Sequence, residues 1–141
     1  MKVIIAEKPS VAQQIAAVVG ATARKDGYIE GGGYAVTWAF GHLVGPAMPE
    51  AYGIEGFKRE NLPILPETFV LEPRRVKSGK EYKPDPGAVK QLAVLKELFS
   101  RTERIVVATD AGREGELIFR FIYHYLDCKT PFDRLLSLIH I

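Results

Sequence analysis

Two acidic residues follow short apolar runs of the sequence. Glu7 comes directly after the run from Val3 to Ala6, and Asp110 comes two residues after the run from Ile105 to Ala108. Both runs are rich in β-branched residues and show no polar alternation, which predicts buried strands of a parallel sheet. Ligands of such sheets bind beyond the carboxyl ends of the strands. If the two strands are neighbours, Glu7 and Asp110 are therefore expected at one edge of the sheet.

The turn after Asp110 adds further polar groups, with the letters A-G-R-E-G-E at positions 111–116. Glu114 lies four residues beyond Asp110, near enough to share a cation across the turn. Glu116 is expected to point away from Glu114, because residues i and i+2 do not share a helix face. Gly112 and Gly115 are predicted to keep the backbone slim, so that a ligand can approach closely.

Carboxylate oxygens that converge without histidine or thiolate favour a hard cation. Mg²⁺ is predicted because it keeps most of its waters and uses one or two carboxylates plus phosphate oxygens. Lys8 and Arg113 add positive charge nearby, which suits phosphodiester chemistry. The predicted metal ligands are Glu7, Asp110 and Glu114. Each acid, taken alone, could instead have a purely structural role, because acidic residues near the start of a helix interact favourably with the helix dipole or cap the helix.

A second polar feature is a basic run in the middle of the chain. Five cations and one acid, Glu81, occur within the ten residues 74–83. Such a patch can neutralise a nucleic-acid backbone, although a solvated loop is the plain alternative. The predicted DNA-binding residues are Arg74, Arg75, Lys77 and Lys80.

The remaining pattern predicts an α/β domain. Apolar periodicity, caps and turn residues divide the chain into ten segments. These are a strand at Lys2–Ala6, a helix from an N-cap at Ser10 to Gly20, a hairpin at Tyr28–Trp38, irregular chain at Gly41–Pro66, a strand at Thr68–Leu71, a polar loop at Lys77–Gly87, a helix at Ala88–Phe99, a strand at Ile105–Ala108, a helix at Arg113–Leu126 and a last strand at Leu135–Ile139. The order predicts a largely parallel sheet with helices on its faces.

Length and composition narrow the class of protein. The 141 residues fit one domain, and the net charge of +2 is small. Cys128 is the single cysteine, which excludes an internal disulfide and a cysteine-rich zinc site. The apolar run at the N-terminus is too short for a signal peptide or a membrane span. A cytoplasmic protein without a membrane partner is expected.

Two segments resemble the signature motifs of a known family. V-I-I-A-E-K-P-S at 3–10 and A-T-D-A-G-R-E-G-E-L-I-F-R at 108–120 resemble the Toprim domain of type IA DNA topoisomerases, in particular the bacterial topoisomerase III subfamily. G-H-L-V at 41–44 and L-P-I-L-P at 62–66 resemble the same subfamily. The resemblance implies a Toprim (Rossmann-like) fold: a mostly parallel sheet of about four strands, helices on both faces, and an inserted hairpin and loop region. Residues 1–141 would form one Toprim domain, at the N-terminus of a larger topoisomerase.

The resemblance also implies an activity, the relaxation or decatenation of DNA through Mg²⁺-dependent cleavage and religation of one strand by a tyrosine. In this family Glu7 would protonate the departing 3′ oxygen and help to hold metal, and Lys8 would contact the scissile phosphate. Asp110 would bind Mg²⁺, and Arg113 and Glu114 match the arginine and glutamate that follow the acidic pair. Glu7, Lys8 and Arg113 are thus the predicted catalytic residues. The implied partners are single-stranded DNA and the remaining topoisomerase domains, in the cytoplasm with the nucleoid.

The sequence departs from this family's pattern at Gly112 and in where it ends, and other functions stay open. Gly112 stands where the commonest form has a second aspartate. None of the six tyrosines matches the motif of the nucleophile, so the chain alone is expected not to cleave DNA. The alternatives are the Toprim domain of a primase or nuclease, and a non-catalytic α/β module that binds phosphate or nucleotide.

Overall fold

The protein, described over residues 1–136 by a computed structural model, contains three α-helices and ten strands within that range. The helices are α1 (Pro9–Val19), α2 (Pro86–Arg101) and α3 (Arg113–Tyr125). The strands are β1 (Lys2–Ala6), β2 (Ala23–Lys25), β3 (Tyr28–Gly31), β4 (Tyr34–Trp38), β5 (Val44–Pro46), β6 (Leu71–Pro73), β7 (Arg75–Ser78), β8 (Glu81–Pro84), β9 (Arg104–Ala108) and β10 (Phe132–Arg134). Short 3-10 helices occupy Pro49–Tyr52 and Arg59–Asn61.

A central sheet joins six strands in the order β10-β9-β1-β4-β3-β2. The first four run parallel, and the hairpin strands β3 and β2 continue the sheet in antiparallel pairing. The predicted α/β class and the parallel core of about four strands are therefore confirmed. The hairpin at Tyr28–Trp38 is also confirmed, and it widens the sheet because β4 pairs with β1.

Helices cover both faces of this sheet. Val3 and Ile5 of β1 pack in one core cluster with α2 and α3, whereas Ile4 and Ala6 pack in a second cluster with α1. Successive residues of a strand point to opposite faces, so a run without polar alternation fits a strand that is buried on both sides. This burial fixes β1 and β9 side by side at the centre of the molecule.

The start of α1 differs from its prediction. The helix begins at Pro9, and the N-cap position belongs to Lys8, which is extended (φ −138°, ψ 152°) and makes no side-chain cap bond. A residue before proline is pushed out of the helical region, and proline is well suited to the first helical position. Ser10 is therefore inside the helix and does not cap it. Gly20 ends the helix in the left-handed region as predicted (φ 78°).

Three further predictions of elements are corrected. The strand expected at Thr68–Leu71 is displaced to Leu71–Pro73, where it pairs with β5. The polar loop expected at Lys77–Gly87 contains the two-stranded hairpin β7–β8, whose turn has Gly79 at φ 66°. The last strand lies at Phe132–Arg134, and residues 137–139 of the predicted strand fall outside the described residues. Partners distant in the sequence decide the first and third of these positions.

Within residues 1–136, no helix combines the length and the apolar character needed to cross a lipid bilayer.

Candidate active site

Glu7 and Asp110 meet at the carboxyl edge of the sheet. Strands β1 and β9 are parallel neighbours, with Ala6 directly opposite Ala108. The chain therefore leaves both strands at the same edge, and the backbone N–H of Asp110 donates to Oε1 of Glu7 over 3.3 Å. The expected neighbourhood of the two strands is confirmed, and it brings the two acids into contact.

The surroundings of Glu7 alter its ionisation. Burial raises the pKa of the Glu7 carboxyl, and hydrogen bonding to the Asp110 side chain together with its charge raises that pKa further. The backbone N–H of Asp110 and the charge of Lys8 act in the opposite direction. The raised pKa means that Glu7 keeps a proton to higher pH than an ordinary glutamate.

The two predicted cationic residues flank this acidic pair along the chain. Lys8 is the residue after Glu7, and Arg113 is the first residue of α3. Both side chains are exposed, and neither forms an ion pair with another residue of the described range. Their charges are thus available to an anion that approaches the sheet edge.

The two glycines of the turn have different roles. A Cβ atom at Gly115 would lie 2.0 Å from the carbonyl oxygen of Asp110, so the first turn of α3 packs directly on the Asp110 backbone. Gly115 is therefore required for this packing, and the expectation that it leaves space for a ligand is wrong. Gly112 is extended (φ 172°), and a Cβ atom there would have no neighbour within 4 Å. Of these two glycines, only Gly112 has open space beside its Cα atom.

Glu114 is turned toward a residue that the sequence did not single out. Its Oε2 lies 2.8 Å from Nε2 of His42, which follows β4 at the same edge of the sheet. His42 also packs near the ring of Phe121, with 6.3 Å between ring centroids. The sequence predicts a structural or surface role for His42, because the three histidines do not form a metal-binding spacing; its partner Glu114 is 72 positions away. Its place in G-H-L-V was the one signal that pointed to it.

Glu116 does not belong to the acidic pair. It forms ion pairs with Arg120 and Arg134, whose hydrogen bonds lower the pKa of Glu116. Arg134 also donates to the carbonyl oxygen of Thr109 over 2.7 Å and to its hydroxyl over 3.0 Å. This network holds the end of β9 immediately before Asp110, and it agrees with the prediction that Glu116 points away.

The side chains at this edge of the sheet fit a metal ion that needs few protein ligands. Among residues 1–136, no three His, Cys, Asp or Glu side chains are grouped as metal ligands. Two acidic residues do adjoin, and burial, followed by the hydrogen bond and charge of Asp110, raises the pKa of Glu7. Mg²⁺ needs only one or two protein carboxylates, so Glu7 and Asp110 fit it. A ligand role for Glu114 stays a prediction, since this side chain is held by His42.

The predicted DNA-binding residues divide into two groups. The Arg74 side chain is used within the fold, because its Nε donates to Oδ2 of Asp85 over 2.7 Å and its Nη1 donates to the carbonyl oxygen of Phe40 over 3.1 Å. The others lie on the exposed β7–β8 hairpin or in its turn: Arg75, Lys77 and Lys80. Arg75 contacts Glu72 at 3.2 Å.

Comparisons with known proteins give a consistent result. Residues 2–137 match the family described as the Toprim domain. The chain is 44% identical to DNA topoisomerase 3 of Shouchella clausii over 138 residues, which is 95% of this chain and 17% of that protein. It is also 44% identical to DNA topoisomerase 3 of Bacillus subtilis over 135 residues, 94% of this chain and 17% of that protein. The chain thus spans about a sixth of the length of these relatives.

Proposed function

The chain belongs to the Toprim domain family, and on this basis we propose that it acts as the N-terminal, metal-binding Toprim domain of a topoisomerase III enzyme. In this proposal it assists Mg²⁺-dependent cleavage and religation of one DNA strand, an isomerase reaction that relaxes or decatenates DNA. The tyrosine that attacks the phosphodiester would come from another domain of a longer chain.

One observation carries the proposal, the contact of Glu7 with Asp110 at the carboxyl edge of the sheet. Lys8 and Arg113 adjoin the two acids along the chain and are exposed. A pair of carboxylates beside exposed cations suits a phosphodiester, because a bound cation and the basic side chains stabilise the phosphate charge while a carboxylic acid exchanges a proton.

Each residue has a distinct role in this proposal. Glu7 donates a proton to the departing 3′ oxygen, since its raised pKa makes it a better proton carrier near neutral pH than an ordinary glutamate. Lys8 and Arg113 bind the phosphate oxygens. Asp110 and the ionised form of Glu7 would hold Mg²⁺, with Glu114 as a further ligand, and the bound ion would offset negative charge on the DNA backbone.

The partners follow from the same proposal. Single-stranded DNA is the substrate, and the other topoisomerase domains supply the nucleophile and complete the DNA-binding path. The protein would work in the cytoplasm, on the DNA of the nucleoid. A primase or nuclease is a weaker candidate, because the similarity to DNA topoisomerase 3 extends over 94–95% of the chain, beyond the acidic motifs.

A chimera tests the proposal. Residues 1–141 would replace the matching segment of Bacillus subtilis DNA topoisomerase 3, and relaxation of negatively supercoiled plasmid would be measured with and without Mg²⁺. We expect Mg²⁺-dependent relaxation that is lost in the Asp110→Asn and Glu7→Gln chimeras. The exposed Lys90→Gln chimera is the matched control and should stay active. Relaxation by the Asp110→Asn chimera at an unchanged rate would contradict the proposal.

A further inference from the structure

The β7–β8 hairpin separates its charges between its two faces. In an antiparallel pair, directly opposed residues share a face and successive residues alternate. Arg75 is opposite Pro84, and Lys77 is opposite Tyr82. One face therefore has an aromatic ring and two cations, of which Arg75 pairs with Glu72 over 3.2 Å. The side chains of this basic face are Arg75, Lys77, Tyr82 and Pro84.

The opposite face has no excess of charge. Val76 is opposite Lys83, and Ser78 is opposite Glu81, so one cation and one acid offset each other there. Packing does not explain why the charges differ between the two faces, because every residue of both strands is exposed. Tyr82 in particular leaves 64% of its surface in solvent. The exposed Tyr82 ring lies directly across the hairpin from Lys77.

The hairpin is anchored to the segment that leads to the carboxyl edge of the sheet, where Glu7 and Asp110 lie. At its base, the backbone N–H of Arg74 donates to the carbonyl oxygen of Leu43 over 2.8 Å, and its side chain donates to the carbonyl oxygen of Phe40. Between those two residues lies His42, which contacts Glu114. Asp85 closes the other end of the hairpin by pairing with Arg74. The Arg74 side chain is thus a positioning element, and it is not free for DNA.

We propose that the basic face of the β7–β8 hairpin binds single-stranded DNA, with Lys77 on a backbone phosphate and the Tyr82 ring stacked on a base. Arg75 pairs with Glu72 over 3.2 Å, so it is not assigned a phosphate. This inference rests on the proposed function, because it takes single-stranded DNA as the substrate. It adds a DNA-binding surface outside the carboxyl edge of the sheet and assigns the DNA contact to one face of the hairpin. Lys80, in the turn, extends the positive charge at the tip.

The chemistry favours a single strand over a duplex or an acidic protein. Aromatic side chains stack on bases only where the bases are unpaired and accessible, and a basic groove or ribbon follows the phosphates. An acidic protein would need the cations but not the ring. The ring and the cations therefore make separate contributions that one experiment can distinguish.

The experiment measures binding of the 141-residue chain to a fluorescently labelled oligothymidylate by anisotropy, over a range of salt concentrations and in EDTA. Lys77→Gln should weaken binding and lower the slope of log K against log salt by about 0.7, the value for one phosphate contact on a single strand. Tyr82→Ala should weaken binding about fivefold or more with an unchanged slope. These two signatures differ because only one variant changes charge.

Matched controls lie on the other face of the same hairpin. Lys83→Gln removes the same charge as Lys77→Gln, and Val76→Ala shortens an exposed side chain opposite Lys83. Both should keep the affinity and the salt slope of the parent. Equal losses in Lys77→Gln and Lys83→Gln, an unchanged affinity in Tyr82→Ala, or no binding by the parent at low salt would each overturn the inference. EDTA removes any metal, so this outcome is independent of the Mg²⁺ site and of the chimera.

Discussion

The ionisation of Glu7 connects the fold to the proposed chemistry at the scale of single residues. Its carboxyl is partly buried against Asp110, and both burial and that neighbour raise the pKa of Glu7. A raised pKa suits a proton donor, but it has a cost for the fold. Above the ordinary glutamate pKa, the folded protein keeps a proton that the unfolded chain has already released.

The first prediction concerns Glu7→Gln. Because the folded pKa is raised, the stability that protonated Glu7 confers is complete below the unfolded pKa, about 4.3, and is lost as the pH rises through the folded pKa. At pH 7 the glutamine variant should be slightly more stable than the parent, by less than about 1 kcal/mol because the site is partly solvated. Near pH 4 the difference should shrink. Urea unfolding at both pH values measures it, and a variant that is less stable at pH 7 would refute the explanation.

The second prediction concerns the open position at Gly112. Its backbone is extended (φ 172°) and a Cβ atom would meet nothing within 4 Å, so an aspartate is expected to fit without strain. Gly112→Asp would supply the second acid of the commonest Toprim pattern. We expect a several-fold increase in Mg²⁺ affinity with little change in stability, because added carboxylate charge strengthens binding of a hard cation. Calorimetric titration measures the affinity.

Gly115→Ala is the contrasting control in the same turn. Its Cβ atom would lie 2.0 Å from the Asp110 carbonyl oxygen, so the variant should lose about 1–3 kcal/mol or more through overpacking. Gly112→Asp with a loss as large as that of Gly115→Ala would contradict the geometry of the turn.

At this scale the sequence predicts residues at strand ends better than contacts between distant segments. Glu7 and Asp110 could be placed together, because two buried strands end beside them and parallel strands end at one edge. His42 could not be paired with Glu114, since 72 positions separate them and only the folded sheet brings β4 and α3 to the same edge. Gly112 and Gly115 differ in how closely the Asp110 backbone approaches them, which the sequence does not indicate.

At the scale of elements, Arg134 joins three pieces of structure around the site. It lies on β10, pairs with Glu116 of α3, and donates to the carbonyl and hydroxyl oxygens of Thr109 after β9. Its side chain is 23% exposed. Since Thr109 directly precedes Asp110, this network fixes where the Asp110 carboxylate emerges from the sheet.

The third prediction is that Arg134→Gln loses about 1–3 kcal/mol of stability, the cost of hydrogen bonds to charged and part-buried groups. It should also shift the backbone amide resonance of Asp110. Arg104→Gln is the matched control, because Arg104 joins the same two strands through an exposed pair with Asp133. It should change stability much less and leave Asp110 unperturbed. Equal effects of the two variants would mean that the network does not position the site.

Helices and strands were predicted correctly where residues close together in the sequence determine their position. Buried apolar runs located β1 and β9, and Gly20 located the end of α1. The start of α1 was placed late, because the proline rule at Pro9 outweighs the capping preference of Ser10. The strand at Leu71–Pro73 depends on pairing with β5, and β10 has the polar residues Asp133 and Arg134 on an edge of the sheet, so neither shows a strong apolar run.

At the scale of the whole molecule, the proposed activity is divided between this chain and other domains. In the proposal, the acidic pair binds metal and the cations Lys8 and Arg113 bind phosphate, but the six tyrosines of the chain do not match the motif of the nucleophile. The relatives are about six times longer than the matched region, which is 17% of their length. If the activity is divided in this way, the 141-residue chain should bind DNA without cleaving it.

The fourth prediction is that the 141-residue chain forms no covalent adduct with a labelled single-stranded oligonucleotide in the presence of Mg²⁺. Denaturing electrophoresis after incubation tests this, with full-length Bacillus subtilis DNA topoisomerase 3 as the positive control. The chain should still bind the same oligonucleotide in a salt-sensitive way, because phosphate contacts release counterions. An adduct formed by the chain alone would show that it contains the nucleophile.

The central claim is that Glu7 and Asp110 form one carboxylate site for Mg²⁺. A magnesium titration of the chain, followed by NMR at the backbone amides of Asp110 and Glu114, tests it most directly. We predict saturable shifts at Asp110 in the parent, and weaker or no saturation in Glu7→Gln and in Asp110→Asn. An unchanged Mg²⁺ affinity in both variants would contradict the claim.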